Sequence, residues 1–180
     1  MPDTIEAIEL RIANDLRQLG NRLEQGDDTQ LLVWPIPDRL ACAHRPLRHD
    51  PAYGGSARNL SSSATPLLKE WVNKIHGFGI RSIICLMHKN ELSFYSQLNL
   101  GVSDLIEFYR LSGFSVCHIE WEDPHHSKTP PAIIERKKDE VRRLALRAYD
   151  EMTKPVLIHC SAGIQRSAPI AAFITSSRSP

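Results

Sequence analysis

Residues 156–167 read VLIHCSAGIQRS. The apolar run that opens this segment is short and uncharged, so it predicts a buried strand that ends at His159. A helix is predicted to begin near Arg166, because small and apolar residues follow it and Pro169 is tolerated in a first helical turn. Cys160 and five uncharged residues separate the strand from Arg166. The segment therefore predicts a tight loop that carries a buried strand into the N-terminus of a helix.

This predicted loop has the groups that phosphoryl transfer requires. A thiol at a helix N-terminus beside an arginine ionises more readily, and the thiolate is the nucleophilic form. Backbone N–H groups of a loop that enters a helix converge on one anion. The planar guanidinium of Arg166 grips two oxygens at once, which a lysine ammonium does not. Gly163 relieves the turn where a side chain would clash. These residues predict Cys160 as nucleophile and Arg166 as phosphate clamp.

The segment resembles the signature of the cysteine-dependent protein-tyrosine and dual-specificity phosphatases, His-Cys-x-x-Gly-x-x-Arg-Ser/Thr. All five fixed positions match, at His159, Cys160, Gly163, Arg166 and Ser167. The resemblance implies that Cys160 attacks phosphorus and forms a phosphocysteine. It also implies that Ser167 donates a hydrogen bond to the departing thiolate, and that His159 orients the loop and helps to hold the thiolate. The phosphate-binding residues that it implies are Ser161, Ala162, Gly163, Ile164, Gln165 and Arg166.

In this family an aspartate on a loop after an upstream strand protonates the leaving group. Asp123 is the best match, because it follows the predicted strand 114–119 and precedes the cysteine nucleophile by 37 residues. Glu122 is the second candidate for the general acid and Glu120 is the third. The sequence Asp123-Pro124 also favours an ordered turn, which would help to aim a carboxyl group.

Strands alternate with helices along the chain, which predicts an α/β fold with a central, mostly parallel twisted sheet flanked by helices. The predicted strands are 31–34, 81–87, 114–119 and 156–158. The predicted helices are 3–19, 65–77, 90–98, 102–111, 132–152 and one that begins near 166. Asp3 is predicted to cap the first helix and Gly20 to end it. Residues 175–180 are predicted to be disordered.

The first helix, within residues 1–20, is predicted to be an extension of one phosphatase domain over 31–180. The resemblance to small bacterial-type dual-specificity phosphatases reaches back to 34–41, which is similar to their opening strand pair. That family usually continues with further helices after the signature helix, whereas this chain stops 14 residues after Arg166. Either those helices are dispensable here or the polypeptide is truncated at its C-terminus. The first helix has two interpretations, a packing helix or a partner-binding helix.

Charge and composition limit the binding partners and the cellular compartment that we expect for the protein. The chain has 22 basic and 21 acidic residues, so its net charge gives no reason to expect nucleic-acid or membrane binding. No apolar run approaches the ~20 residues of a membrane span. The four cysteines form no Cys-x-x-Cys pair, and a reduced, cytoplasmic setting fits them best. The adjacent His125 and His126 would point apart in an extended loop, and the predicted chemistry requires no metal or other cofactor.

The uncharged side chains of the loop favour a phosphorylated protein or a small phosphate ester over a polyphosphorylated lipid. The predicted reaction is therefore hydrolysis of phosphotyrosine, and of phosphoserine or phosphothreonine, in proteins. A long loop predicted over 43–64 carries Arg45, Arg48, His49 and Arg58. This loop either flanks the pocket and recognises an acidic substrate or is a solvated surface loop.

Several alternatives stay open at this point. One is a catalytically silent phosphate-binding module of the same fold. Another is a rhodanese-like sulfurtransferase or an arsenate reductase, which also places a cysteine in a loop near a helix start. Cys85, in a neighbouring predicted strand, is either a buried structural thiol or a redox partner of Cys160. The physiological substrate and the oligomeric state are not predicted.

Overall fold

The computed structural model describes residues 3–178, which form an α/β arrangement of strands and helices. The strands are β1 (Val33–Ile36), β2 (Leu40–Ala43), β3 (Ser82–Cys85), β4 (Ser115–His118) and β5 (Val156–His159). The α-helices are α1 (Ile5–Glu24), α2 (Thr65–Gly77), α3 (Lys89–Leu92), α4 (Leu105–Leu111), α5 (Pro131–Glu151) and α6 (Ser167–Arg178). Short 3₁₀ turns lie at Ser62–Ala64 and Ser93–Tyr95. The predicted α/β class is confirmed.

The five strands form one sheet in the order β1-β2-β5-β3-β4. The central strand β5 runs parallel to both of its neighbours, β4 runs parallel to β3, and only the edge strand β1 is antiparallel. Ala43 and Cys85 both lie opposite His159, so the chain leaves β2, β3 and β5 at one edge of the sheet. In open parallel sheets this carboxyl edge is where ligands bind.

Alternation of side chains along the strands divides the core into two layers. One face of the sheet, with Ala41, Ile83 and Leu157, packs against α2 and α4. The other face, with Ile84 and Ile158, packs against α1, α5 and α6. Both faces of the sheet are therefore covered, as expected for a mostly parallel sheet.

The N-terminal helix differs from its predicted bounds at both ends. Thr4, and not Asp3, is the N-cap, because its hydroxyl oxygen accepts the N–H of Ala7 at 3.2 Å. The helix continues past Gly20 to Glu24. A Cβ at Gly20 would lie 3.1 Å from the His49 ring, so this glycine allows close approach and does not end the helix. The helix packs on α6 in the second core layer.

Other predicted elements are shifted or shortened. The first strand begins at Val33 and includes Pro35, which an edge strand tolerates because it needs no N–H there. The helix predicted over 90–98 is only the single turn α3 followed by a 3₁₀ turn. The disorder predicted for 175–180 is wrong for 175–178, which belong to α6, with Thr175 buried. Residues 179–180, and residues 1–2 of the predicted N-terminal extension, lie outside the described part of the chain.

The long loop after β2 is not uniformly solvated as a surface loop would be. His44 and Arg45 are buried, at 4% and 2% exposure, while Arg58 is exposed.

Within residues 3–178, no helix has both the length and the apolar character needed to cross a membrane.

Candidate active site

The loop that follows β5 folds back over its own cysteine. The N–H of Gly163 donates to Cys160 Sγ at 3.2 Å, and the sulfur is almost fully buried. Gly163 has a φ of +79°, and a Cβ there would lie 3.0 Å from the carbonyl oxygen of Ala43. Only glycine fits this position without strain. Ser161, Ala162 and Ile164 are half-buried and Gln165 is exposed, so the rim of the loop reaches solvent.

Arg166 is held at the end of this loop by a carboxylate that sequence reasoning missed. Its Nη1 donates to Glu91 Oε2 and its Nη2 to Glu91 Oε1, both at 2.6 Å. Nη1 also donates to the carbonyl oxygen of Trp121 at 2.8 Å. Burial opposes the charge on the guanidinium, but these hydrogen bonds and the nearby Cys160 outweigh it and raise the pKa of Arg166. Burial likewise opposes the charge on Glu91, yet the hydrogen bonds from Arg166 lower the pKa of that carboxyl. Both groups are therefore ionised at neutral pH.

These contacts leave one edge of the guanidinium free. Of its five N–H groups, two are used by Glu91 and one by Trp121. Nε, which is buried, has no hydrogen-bond partner within residues 3–178. Nε and the outer N–H of Nη2 form a parallel pair of donors, a geometry that suits two oxygens of a carboxylate or a phosphate. Glu91 thus fixes Arg166 in an orientation that keeps its bidentate edge available.

The structure brings one of the three candidate general acids to this edge. Asp123 Oδ2 lies 4.0 Å from Arg166 Nη2, and its side chain is 21% exposed. Its other oxygen accepts the N–H of His125 at 2.9 Å, which orders the turn. Glu120 lies 3.3 Å from the ring of His88, and Glu122 accepts from Ser127 Oγ at 3.4 Å.

His159 and Ser167 flank the loop and are fully buried. His159 Nε2 lies 3.0 Å from Tyr109 Oη, and its Nδ1 lies 3.1 Å from the carbonyl oxygen of Cys160. Burial lowers the pKa of His159 to about 4, so the ring is neutral at pH 7 and orients the backbone at Cys160. Ser167 Oγ has no hydrogen-bond partner within residues 3–178, so its hydroxyl is available to donate.

The buried state of His159 makes stability depend on pH. The pKa of His159 falls from 6.5 in the unfolded chain to about 4 in the folded protein. Its contribution to the free energy of unfolding is therefore fully present above about pH 6.5 and is lost as the pH falls towards 4. We expect this residue to reduce the free energy of unfolding by about 2 kcal/mol between pH 7 and pH 5. Urea denaturation at the two pH values measures the change. Burial also lowers the pKa of His44 to about 4, so His44 adds a pH dependence of the same sign. His159→Gln should therefore remove only the share that His159 contributes, about 2 kcal/mol between pH 7 and pH 5. Exposed His126→Gln should leave the dependence intact, and an unchanged slope in His159→Gln would contradict a neutral buried ring.

The start of the loop after β2 holds the loop 160–166 from its other side. The backbone N–H of Arg45 donates to the carbonyl oxygen of Ser161 at 2.8 Å, and Arg45 Nε donates to Ser161 Oγ at 3.3 Å. His44 Nδ1 lies 2.5 Å from the carbonyl oxygen of Ala162, and its Nε2 lies 2.8 Å from that of Leu16 in α1. These two residues connect α1 and β2 to the loop 160–166. The sequence predicts Arg45 in a loop that either flanks the pocket or is solvated, and it does not single out His44.

The remaining cysteines are buried or half-buried and free. Cys85 lies opposite His159 in the register of β3 and β5, and burial raises its pKa to about 12. A protonated, buried thiol is a poor nucleophile. This burial fits the interpretation of Cys85 as a structural thiol. Its redox pairing with Cys160 stays the alternative hypothesis. Within residues 3–178, no cluster of three or more potential ligand side chains is placed to hold a metal ion.

Taken as a whole, the site consists of a buried thiol, a fixed arginine with a free bidentate edge and one nearby carboxyl group, at the carboxyl edge of an α/β sheet. Neither protein-family models nor curated proteins give a match to this chain.

Proposed function

We propose that this chain is a cysteine-dependent phosphatase that hydrolyses phosphate monoesters through a phosphocysteine intermediate. One observation carries the proposal: Glu91 holds Arg166 so that its bidentate edge stays free beside the loop that contains Cys160. An unpaired buried donor is costly, and a phosphate bound at this edge would satisfy Nε. The match of residues 159–167 to the phosphatase signature supports the same function.

In the first step the Cys160 thiolate attacks phosphorus, and an S–P bond forms as the ester P–O bond breaks. The free edge of Arg166 and the N–H groups of residues 161–166 bind the three non-bridging oxygens, whose charge must be stabilised as the bonds rearrange. Asp123, near the same edge, donates its proton to the departing oxygen. The alcohol or phenol portion of the ester then departs as a neutral molecule, and the phosphoryl group stays on Cys160.

In the second step a water molecule attacks the phosphocysteine. Asp123, now a carboxylate, accepts a proton from that water, and the S–P bond breaks to release inorganic phosphate. The departing sulfur regains its negative charge, which the N–H of Gly163 and the unpaired hydroxyl of Ser167 would stabilise. His159 takes no proton in this sequence, because its neutral ring is engaged with Tyr109 and the backbone.

The proposed substrates are phosphotyrosine and, with it, phosphoserine or phosphothreonine in proteins. The side chains of Ser161, Ala162, Ile164 and Gln165 carry no positive charge that would bind a second phosphate over the loop. This composition favours a monophosphate over a polyphosphorylated lipid.

Asp123→Asn tests both the reaction and the identity of its acid. We expect wild-type protein to hydrolyse p-nitrophenyl phosphate and phosphotyrosine, and the variant to lose about a hundredfold or more in kcat for phosphotyrosine. The loss for p-nitrophenyl phosphate should be smaller, because p-nitrophenolate leaves more readily without a proton. The amide oxygen of asparagine can still accept the N–H of His125, so the turn should be preserved.

The matched controls are Glu122→Gln and Glu120→Gln, which remove carboxylates from the same loop and should leave kcat unchanged. A loss of kcat in Glu122→Gln alone would identify Glu122 as the general acid. Wild-type protein that hydrolyses neither ester would overturn the phosphatase proposal. Loss of turnover in Asp123→Asn with phosphate binding retained would exclude a sulfurtransferase, whose reaction does not need that acid.

A further inference from the structure

The peptide that joins Ala162 to Gly163 is the part of the loop 160–166 that contacts the sulfur. The N–H of Gly163 donates to Cys160 Sγ at 3.2 Å. This peptide is trans, so its carbonyl oxygen and its N–H point in opposite directions. The carbonyl oxygen of Ala162 therefore points away from the sulfur, and a group that holds this oxygen also determines the direction of the Gly163 N–H.

His44 holds that carbonyl oxygen from the outer side of the loop. Its Nδ1 lies 2.5 Å from the carbonyl oxygen of Ala162, and the residue is 4% exposed. The preceding residue packs on the same peptide, since a Cβ at Gly163 would lie 3.0 Å from the carbonyl oxygen of Ala43. The end of β2 and the residue after it thus form the outer wall of this peptide.

The two ring nitrogens of His44 face two carbonyl oxygens, and only one of them can be given an N–H by a neutral ring. Nε2 lies 2.8 Å from the carbonyl oxygen of Leu16. Burial lowers the pKa of His44 to about 4, so at neutral pH the ring carries a single N–H. The Leu16 oxygen, inside α1, already accepts the N–H four residues further on, and the contact with Ala162 is the shorter one. These contacts assign the N–H to Nδ1.

The helix α1 leaves room for this ring. A Cβ at Gly20 would lie 3.3 Å from His44 Nε2 and 3.1 Å from the ring of His49. The His49 ring packs edge-on against that of His44, with the centroids 4.2 Å apart, and is itself held by Glu24 at 2.7 Å. The ring of His44 is therefore confined on several sides, and its donor has a defined direction.

The preceding peptide of the loop is held in the same way. The backbone N–H of Arg45 donates to the carbonyl oxygen of Ser161 at 2.8 Å, so the N–H of Ala162 points away from Arg45. Two consecutive residues after β2 thus hold two consecutive carbonyl oxygens of the loop. The second contact differs from the first because it depends on a side chain, which a substitution can change.

We propose that His44 is a positioning residue of the loop 160–166. By donating to the carbonyl oxygen of Ala162, it directs the N–H of Gly163 onto the sulfur of Cys160, where that N–H stabilises the charge on sulfur during turnover. The effect on turnover rests on the proposed phosphatase function, whereas the direction of the N–H does not depend on it.

Two substitutions at His44 separate its two contacts. The amide nitrogen of asparagine takes the place of Nδ1, and that of glutamine takes the place of Nε2. His44→Asn therefore keeps a donor to Ala162 and loses the contact with Leu16, and His44→Gln does the reverse. Both variants remove the same ring, so a residue that only fills space would give them equal effects.

We expect His44→Gln to lower kcat/KM for p-nitrophenyl phosphate, and the affinity for inorganic phosphate, by about tenfold each, because one buried hydrogen bond to the loop is lost. His44→Asn should stay close to the wild-type values. Hydrogen exchange of the Gly163 N–H, followed by ¹H–¹⁵N NMR, gives a readout that needs neither turnover nor phosphate. Exchange should be about tenfold faster in His44→Gln than in His44→Asn.

His76→Asn is the matched control, because His76 is a half-buried histidine of α2 whose Nε2 lies 2.7 Å from another carbonyl oxygen, that of Ser112. It should change neither the exchange of the Gly163 N–H nor kcat/KM. Urea denaturation of each variant shows that it is folded.

Equal exchange of the Gly163 N–H in the two His44 variants, or faster exchange in His44→Asn, would overturn the proposal. Wild-type kcat/KM in a folded His44→Gln protein would overturn it as well. If His44→Gln does not fold, exchange in His44→Asn that is faster than in wild-type protein would be decisive against it. A chain that hydrolyses no ester but shows the expected difference in exchange would refute the phosphatase function and leave the positioning role of His44 intact.

Discussion

Replacement of Cys160 by serine should lower kcat for p-nitrophenyl phosphate by about 10⁵-fold or more, which is the scale seen when a catalytic nucleophile is removed. A serine hydroxyl is not ionised at neutral pH, and the adjacent His159 is engaged with Tyr109 and the backbone and is not placed to activate it. Phosphate binding should persist, because the N–H groups of the loop and the edge of Arg166 remain. Oγ of the serine can still accept the N–H of Gly163, so the loop should keep its shape.

Steady-state hydrolysis and calorimetric titration with inorganic phosphate measure the two properties separately. Cys117→Ser is the matched control, because Cys117 is half-buried on β4 and should not affect kcat. Turnover by Cys160→Ser at the wild-type rate would exclude Cys160 as the nucleophile. Phosphate binding without turnover in wild-type protein would instead favour the silent phosphate-binding module.

The phosphate loop was predictable because its geometry is local. The strand that ends at His159, the glycine at 163 and the helix that follows are contiguous in sequence, and the backbone of such a segment determines where its N–H groups point. The alternation of strands and helices likewise predicted the sheet, since parallel strands need crossover connections. Asp123 was also predicted as a site residue, and in the structure it lies 4.0 Å from Arg166. It follows β4, whose carboxyl end lies at the same edge of the sheet as that of β5.

Glu91 was not predictable as a site residue. It lies 75 residues before Arg166 in sequence and on a helix of a single turn, where a longer helix over 90–98 was expected. Its local pattern indicates only a capping box with His88, whose backbone N–H it accepts at 2.8 Å. The contact with Arg166 depends on tertiary packing, for which one sequence carries no periodic signal.

The burial of Arg45 and His44 beside the loop 160–166 could not be predicted for a different reason. A stretch rich in Gly, Ser, Arg and His has the composition of a solvated loop, and this interpretation treated the residues of 43–64 alike. Two of them are in fact buried, because β2 pairs with β5 and the residues that follow β2 contact the loop 160–166 that follows β5. Strand adjacency, and not composition, decides which loop residues face the site.

Arg166→Lys should lower kcat/KM for p-nitrophenyl phosphate by about 10³-fold or more, within the range seen for arginines that stabilise phosphoryl transfer. Arg166 has two tasks at once: one edge of its guanidinium is fixed by Glu91, and the other is left for the phosphate. An ammonium is a single point charge, so a lysine paired with Glu91 cannot present two parallel N–H groups to the substrate. Inorganic phosphate should therefore also bind more weakly, and the Cys160 nucleophile, although present, should meet a poorly oriented phosphorus.

Arg110→Lys is the matched control, because Arg110 also pairs with a glutamate, Glu107, but on the exposed face of α4. Urea denaturation of both variants separates a catalytic effect from a loss of fold, since a lysine that keeps one contact with Glu91 still avoids an isolated buried charge. A folded Arg166→Lys protein with wild-type kcat/KM would show that the bidentate edge is not used. A folded protein with reduced kcat/KM and weaker phosphate binding is expected, because the same edge contacts the phosphate in the ground state and in the transition state.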